Sequence, residues 1–429
     1  MQRFGFAKID ITPTRPQYLA GYANRTELHT GVADHLYVRV SAFEDALRHQ
    51  LVIISFDLIG TPEAMSDEIY NRCQEKYGLS RNMIVVNSIH THCGPMVEEY
   101  YYAPSCKVDR QYCQSVIDAA VDAVGMALDD LCEAELRFGM GKLDFGINRR
   151  LPKNGEIYMS PNPNGFYLSD VPVLQAKRAG KEDTVLYSIS CHPTTRGGLR
   201  ISADYPGAAA AQFKGNLQFM QGAAGSAKVR SVTEDGTAFK EGDDAWLAKA
   251  GRQIVDFLEG FLASNEMNDI QLDLAGRILR MDLPMDENKM FTEADLDAFY
   301  NFYGGDQYDY VRICTEALRK KLRAGKSKNF CELELRGIRI ARNVRFLTIS
   351  AEITAELAKV MMDAARNGDE KLFLLGYTGF RTDYLPDAKI MQEGGYEGRW
   401  AQFLHLMGGL FTPDIDTVMG NAAKDALRF

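Results

Sequence analysis

Short β-like runs and longer helical patterns alternate along nearly the whole chain, and this alternation most restricts what it can fold into. Leu51–Ile59 is almost entirely apolar, as expected of a strand that is buried on both faces. Asp109–Leu131 has the apolar spacing of a long amphipathic helix. Because strands that alternate with helices are typical of layered α/β architectures, we predict an α/β fold with a mixed β-sheet core flanked by helices.

One segment interrupts this alternation. Residues 285–328 are charged and have a helical pattern between two strand patterns, so we interpret them as a helical insertion, either a lid or a homo-oligomer contact. No stretch rich in Pro, Gly and Ser divides the chain. Although 429 residues would allow two or three domains of ordinary size, we therefore predict a single domain over residues 1–429.

Charge and apolar content exclude several classes of partner. The 49 Lys and Arg residues against 58 Asp and Glu residues give a net charge of −9, which disfavours nucleic acid and anionic membranes. No apolar run approaches the ~18 residues of a membrane span. The first residues lack the apolar core of a secretory signal, and the eight cysteines include no CxxC pair. We expect a cytoplasmic protein that acts on a small-molecule substrate.

Three of the seven histidines occur in two short motifs, each after a strand-like run. The motifs are HTHCGP at residues 90–95 and CHPT at residues 191–194. Side chains alternate along a strand, so His90 and His92 project to the same side. Imidazole is a common zinc ligand, and sites in α/β proteins collect at strand ends. Each motif taken alone favours a hydrogen-bonded core or loop histidine over a metal ligand.

A third segment has the composition of a site wall. Residues 376–398 follow the apolar run Leu372–Leu375 and combine several Tyr, Asp, Arg and Gly residues in one loop-like stretch. Loops of this kind, held by a buried strand, often carry functional residues. We therefore predict that this segment borders a site.

Taken in order, these segments resemble the catalytic domain of the neutral (neutral/alkaline, non-lysosomal) ceramidase family. Matching pieces occur in the family's order along nearly the whole chain. They are AKIDITP at 7–13, HTHCGP at 90–95, NR at 148–149, CHPT at 191–194, QGAAG at 221–225, SAE at 350–352 and the stretch 376–397. No single piece is specific, but the ordered set is.

The resemblance implies a zinc site with residues of the reaction centre beside it. The implied metal ligands are His90, His192, Glu352 and Tyr384. His92 would donate or accept a proton, and Arg149 would hold the substrate carbonyl or an anionic group. Without the resemblance, Glu352 would be a charge at a helix N-terminus and Arg149 a salt-bridge partner.

The chain departs from the family at its serine motif. The ceramidases carry Gly-Asp-Val-Ser-Pro, whose serine takes part in amide cleavage, whereas residues 225–229 here are GSAKV. Lys228 occupies the serine position, and Ser226 lies two residues earlier, about 6–7 Å away along a strand-like path. Ser226 could be re-aimed, Lys228 could supply a cation, or zinc-activated water could attack unaided. We favour the last, with Lys228 or Ser226 contacting the substrate.

The leading hypothesis is a zinc-dependent hydrolase that cleaves an amide or ester bond in a small soluble substrate by metal-activated water. We expect a soluble substrate because the chain has neither a signal sequence nor room for the C-terminal β-sandwich domain of these ceramidases. The alternatives are a non-catalytic metal- or ligand-binding protein and a true ceramidase-type lipid amidase. A weaker alternative is thiol chemistry at Cys93 or Cys191.

Overall fold

Three five-stranded sheets form the framework of the protein, whose computed structural model describes residues 1–100, 103–380 and 383–429. In spatial order, the first sheet contains Ile84–Ser88, Gln50–Phe56, Tyr37–Glu44, Arg3–Asp10 and Cys132–Glu133. The second contains Asn216–Gln221, Thr184–Ile189, Asp170–Lys177, Glu135–Lys142 and Asn268–Asp269. The third contains Lys371–Leu375, Val344–Ile349, Phe330–Ala341, Leu272–Met290 and Gly409–Phe411.

Each of these sheets is mixed and has one parallel pair of strands at an edge. The pairs are Gln50–Phe56 with Ile84–Ser88, Thr184–Ile189 with Asn216–Gln221, and Val344–Ile349 with Lys371–Leu375. Apart from Asn216–Gln221, which has three polar residues, these strands are largely apolar because both of their faces are covered, which is usual for parallel strands. The predicted α/β fold with a mixed β-sheet core flanked by helices is confirmed.

Helices and three smaller sheets complete the described part of the chain. The smaller sheets join Ala227–Val229, Gly146–Lys153 and Glu156–Asn162, then Gly31–Val32 with Arg200–Ile201, and Glu352–Ile353 with Tyr384–Leu385. The α-helices are Glu63–Tyr77, Arg110–Asp129, Asp204–Ala210, Asp244–Leu262, Glu293–Phe302, Asp309–Arg323, Ala355–Ala365, Ala388–Glu393, Ala401–Leu404 and Ile415–Ala426. None of the helices in the described residues combines the length and apolar character that crossing a bilayer requires.

The long helix Arg110–Asp129 shows how local sequence determines these elements. Asp109 caps its first turn, and its carboxylate accepts the backbone N–H groups of Gln111 and Tyr112 at 2.9 and 3.1 Å. The helix packs closely on the first sheet at Gly5, where an added Cβ atom would lie 1.9 Å from the Ala127 carbonyl oxygen. Glycine at this position therefore allows helix and strand to touch.

The three sheets meet around a shared apolar cluster. The Phe373 ring stacks between Phe346, with ring centroids 5.1 Å apart, and Phe138, at 5.9 Å. Polar groups also connect the sheets, because the Ser55 hydroxyl donates to the Phe219 carbonyl oxygen at 2.6 Å. These contacts hold the three parallel edge pairs in fixed relative positions.

The predicted helical insertion is confirmed in part. Its helices, Glu293–Phe302 and Asp309–Arg323, pack through Phe299 onto Phe403, with ring centroids 4.8 Å apart. The helical prediction is wrong for residues 285–290, which continue the strand Leu272–Met290. This charged run is extended because it pairs with Gly409–Phe411, a partner that lies far away in the sequence.

Candidate metal centre

The carboxyl ends of the three parallel strand pairs meet at one place, and the predicted metal ligands lie there. The Asn87 side chain connects the three sheets at this point. Its amide nitrogen donates to the Gly376 carbonyl oxygen at 2.8 Å, and its oxygen accepts the Gln221 N–H at 2.9 Å. Because ligands bind beyond the carboxyl ends of strands in open α/β sheets, the topology brings residues from positions 90 to 384 into one site.

His90 and His192 occupy equivalent positions after strands of the first and second sheets, and both side chains are fully buried. The Nδ1 atom of His90 lies 2.7 Å from the Ile59 carbonyl oxygen, and that of His192 lies 2.6 Å from the Ala224 carbonyl oxygen. A carbonyl oxygen only accepts, so both Nδ1 atoms carry the proton and both Nε2 atoms present a lone pair. Zinc-binding histidines are usually oriented in this way.

Glu352 and Tyr384 face the two imidazoles from the small sheet that joins Glu352–Ile353 to Tyr384–Leu385. They are register partners in a short parallel pair, which aligns their side chains. The Glu352 Oε2 atom lies 3.2 Å from the His90 Nε2 atom and 3.3 Å from the His192 Nε2 atom. The Tyr384 hydroxyl lies 3.2 Å from the same His192 nitrogen. Arg381 and Thr382, part of the predicted site wall, lie outside the described residues.

This donor set has the chemistry of a cation site. Burial, and then the charge of Arg149, lower the pKa of His192 to about 3, so its imidazole is neutral. The Nε2 atoms of His90 and His192 both face one Glu352 oxygen, at 3.2 and 3.3 Å, and the lone pair of neutral His192 repels that acceptor. A metal ion between them would convert that repulsion into three bonds, and nitrogen and oxygen donors of this kind suit zinc.

His92 lies beside these residues but lacks the orienting hydrogen bond that His90 and His192 make. One nitrogen from each of the three histidines lies within 4.8 Å of the others, and the His92 and His90 Nε2 atoms are 3.2 Å apart. Within the described residues, the buried Nδ1 atom of His92 has no hydrogen-bond partner. Burial and the neighbouring imidazoles lower the pKa of His92 well below its usual value. A neutral His92 can accept a proton.

The backbone at Gly21 allows His92 to occupy this position. Gly21 has φ +103°, and an added Cβ atom would lie 2.5 Å from the His92 ring. His90, with φ +67°, and Tyr377, with φ +55°, adopt the left-handed conformation that costs a non-glycine residue about 1 kcal/mol or more. Their rings pack together with centroids 4.2 Å apart. His90 and Tyr377 are thus two of the six described non-glycine residues with a positive φ.

Arg149 is held rigidly between the metal ligands and a buried carboxylate. Its Nε atom donates to Glu397 at 2.7 Å, and its Nη2 atom donates to the Tyr384 hydroxyl at 3.0 Å. The other Glu397 oxygen accepts a hydrogen bond from Arg150 at 2.8 Å. Burial alone would raise the pKa of Glu397, but Arg149 and Arg150 together lower it below its ordinary value. Arg149 therefore remains charged beside Tyr384.

Lys228 lies on the strand Ala227–Val229, in the small sheet that also contains Arg149. It follows the strand Asn216–Gln221, and its backbone forms a β-bridge with His192. Burial, and next the charge of Arg149, lower the pKa of Lys228 to about 8. The protonated ammonium therefore still predominates at neutral pH.

Ser226 is placed differently from the other predicted site residues. Its side chain is fully buried, and its hydroxyl donates to the Glu356 carboxylate at 2.5 Å. The same oxygen accepts the Ala355 N–H at 3.1 Å, at the start of the helix Ala355–Ala365. Ser226 does not line the cavity that opens onto the candidate metal centre. Its placement therefore does not support the predicted contact with substrate. The tight turn after Gly225 directs its hydroxyl toward the helix instead.

A cavity of about 860 Å³ opens onto the metal centre. His92, Arg149, Lys228, Glu352 and Tyr384 line its inner end. The helical insertion lines another wall, mainly with aromatic residues: Phe299, Phe302, Tyr303, Tyr308 and Tyr310. This volume is typical of small-molecule sites. The mixed lining is neither an open apolar groove nor a purely polar pocket.

Sequence reasoning missed two residues that complete the site. Glu397 neutralises Arg149, and Tyr396 lines the cavity with its ring 5.2 Å from that of Tyr384. Both lie in the glycine-rich continuation of the predicted site wall. The Arg-Arg pair at residues 149–150 was the available signal, because two adjacent arginines inside a buried strand require a carboxylate partner.

Comparisons with known proteins agree with this architecture. Residues 3–164 match the family model described as neutral/alkaline non-lysosomal ceramidase, N-terminal. The fold is similar to that of a neutral ceramidase from Pseudomonas aeruginosa, with a TM-score of 0.74 and 17% identity over 99% of this chain and 74% of that chain. A ceramidase complexed with C2 is similarly related, with a TM-score of 0.74 and 17% identity over 99% of this chain and 75% of the other.

No curated protein matches the sequence. The resemblance to the neutral ceramidase family is nevertheless confirmed, by the family model over the N-terminal region and by the fold over nearly the whole chain. At 17% identity the similarity to the solved structures establishes the fold. The substrates of those enzymes are not thereby assigned to this chain.

Proposed function

We propose that this ceramidase-like chain is a zinc-dependent hydrolase that cleaves an amide or ester bond in a small soluble substrate. The observation that supports it most is the convergence of two imidazole Nε2 atoms on one carboxylate oxygen, with the Tyr384 hydroxyl 3.2 Å from His192. His90, His192, Glu352 and Tyr384 would hold the ion. When bound, zinc supplies a Lewis acid that polarises a carbonyl group and lowers the pKa of water.

The remaining residues of the inner cavity have separate roles in this proposal. His92 accepts a proton from the attacking water and returns it to the leaving group, because its imidazole is neutral and lies beside the ligands. Arg149 stabilises negative charge at the substrate carbonyl oxygen from a position fixed by Glu397. Lys228 contacts the substrate from the strand Ala227–Val229, which pairs with the strand that carries Arg149.

Removing the metal tests this function directly. We expect the purified protein to hydrolyse at least one member of a panel of small amides, esters and lactones. Treatment with a chelator should abolish the turnover, and added zinc should restore it, because the ion polarises the scissile carbonyl. Turnover that survives complete removal of the metal would contradict the proposal. A zinc-bound protein without any turnover would favour the non-catalytic alternative.

The His92→Ala variant should separate proton transfer from metal binding. We expect it to retain zinc at the wild-type level, since His92 lacks the orienting hydrogen bond of the proposed ligands. Its kcat should fall about 100-fold or more, because proton transfer by a positioned side chain contributes that much. Metal analysis and steady-state kinetics on the same preparation measure both effects. Loss of zinc together with kcat would instead make His92 a third histidine ligand.

The thiol alternative has little physical support. Burial raises the pKa of Cys93 to about 11, and burial also raises that of Cys191. Both side chains are therefore neutral thiols, whereas the thiolate is the reactive nucleophile. The Cys93 thiol also contacts the Arg196 carbonyl oxygen at 3.3 Å, as expected of a residue that packs behind the site.

A further inference from the structure

Lys228 is a cation inside the cavity that has no salt-bridge partner among the described residues. Its ammonium lies 4.8 Å from the centre of the Phe239 ring, and the carboxylates that act on it, Asp204 and Glu241, do so only from beyond salt-bridge distance. The Asp204 carboxylate instead accepts backbone N–H groups of the 195–196 loop at 2.9 and 2.8 Å.

The neighbouring cation is compensated, which makes Lys228 unusual. Lys228 pairs with Ile147 across two antiparallel strands, and Arg149 lies two residues beyond that partner. The Arg149 charge is balanced by Glu397 at 2.7 Å. A half-buried ammonium close to a second cation is costly unless a negative group approaches it. The aromatic insertion wall of the cavity strengthens this requirement, since it lowers the local dielectric.

We infer that Lys228 binds an anionic group of the substrate, in the simplest case a carboxylate, that lies close to the scissile amide or ester bond. This inference rests on the proposed function, because it names the substrate class of the same site. The backbone of Lys228 pairs with that of His192, so its side chain starts next to a proposed metal ligand. A carboxylate bound there supplies the missing counterion while the carbonyl group faces Arg149.

An alternative role for Lys228 is to stabilise charge that develops on the carbonyl oxygen during the reaction. The two roles differ in what a Lys228→Met substitution changes. Recognition of a carboxylate affects KM or Kd for acidic substrates only, whereas stabilisation of the transition state lowers kcat for acidic and neutral substrates alike.

Binding of a matched ligand pair tests the inference without requiring turnover. N-benzoylglycine and N-benzoylglycinamide differ only in the carboxylate, and calorimetry gives their Kd values for the zinc-loaded protein. We expect the acid to bind at least about tenfold more tightly than the amide, the scale of a charge-assisted hydrogen bond. The preference should fall below about twofold in Lys228→Met and persist in Lys228→Arg.

Two controls make the result specific to Lys228. Lys142→Met removes an exposed lysine outside this cavity, with a side chain 78% exposed, and should leave the preference unchanged. Zinc content and Tm of Lys228→Met should match those of the wild type, which excludes misfolding. If the carboxylate instead coordinated only the metal ion, the acid would still bind more tightly than the amide in Lys228→Met.

The outcomes distinguish this inference from the proposed function. A preference that survives in Lys228→Met, or equal or undetectable binding of the two ligands to the wild type, overturns the assignment of Lys228. Even if the assignment of Lys228 is overturned, the proposed function stands as long as neutral amides or esters are hydrolysed in a zinc-dependent way. If the Lys228-dependent preference is found but no bond is cleaved, the proposed function fails and the assignment of Lys228 stands.

Discussion

The His90→Ala and His192→Ala variants are expected to bind zinc at least about 100-fold more weakly than the wild-type protein. Each variant removes one of the two imidazoles whose Nε2 atoms face Glu352 at 3.2 and 3.3 Å. Loss of an outer-shell group typically costs 10–100-fold in metal affinity, so loss of a ligand should cost at least as much. Turnover should be lost with the metal, because the Lewis acid is missing.

The measurement is zinc content after dialysis against a buffered zinc solution, combined with Tm as a function of zinc concentration. Zinc that binds only the folded state raises Tm as its concentration increases, and the variants should lack this response. His35→Ala is the matched control because its imidazole is 62% exposed and pairs with Asp10. If either ligand variant holds as much zinc as the control, the proposed site is wrong.

The positions of the proposed metal ligands follow recognisable apolar strands. His90 and His192 each come after an apolar run that the sequence identified as a strand, and the resemblance added Glu352 and Tyr384. Their convergence was not visible in the pattern of any single strand. It depends on three separate sheets, each with a parallel strand pair whose carboxyl end lies at the candidate site. Contacts between segments that are far apart in the sequence create this arrangement.

Contacts of this kind also explain what the sequence could not predict. Residues 285–290 are charged like a surface helix, but pairing with Gly409–Phe411 makes them a strand. Ser226 has the residue type of a nucleophile, but its hydroxyl donates to Glu356, 130 residues away, and does not line the cavity. Glu397 lies 248 residues from Arg149, and no local pattern links the two. Spacing identifies candidates, while tertiary pairing decides their roles.

Glu397→Gln should destabilise the folded protein by about 3–5 kcal/mol at neutral pH, the usual result of removing one partner from a buried ion pair. Glu397 contacts Arg149 at 2.7 Å and Arg150 at 2.8 Å, and all three side chains are buried. The substitution keeps the shape but leaves two buried guanidinium groups without their shared charge. Denaturant unfolding of both proteins gives the difference. Asp122→Asn, at an exposed ion pair with Lys76, should cost at most about 1 kcal/mol.

The pH dependence of this difference identifies its electrostatic origin. The folded pKa of Glu397 is lowered, since Arg149 and Arg150 outweigh the effect of burial. Its stabilising contribution is therefore fully present above the ordinary carboxyl value of about 4.3 and is lost as the pH falls through the folded pKa. The free energies of unfolding of wild type and Glu397→Gln should converge as the pH is lowered below that value. A difference that stays constant with pH would mean that altered packing, and not the lost charge, destabilises the variant.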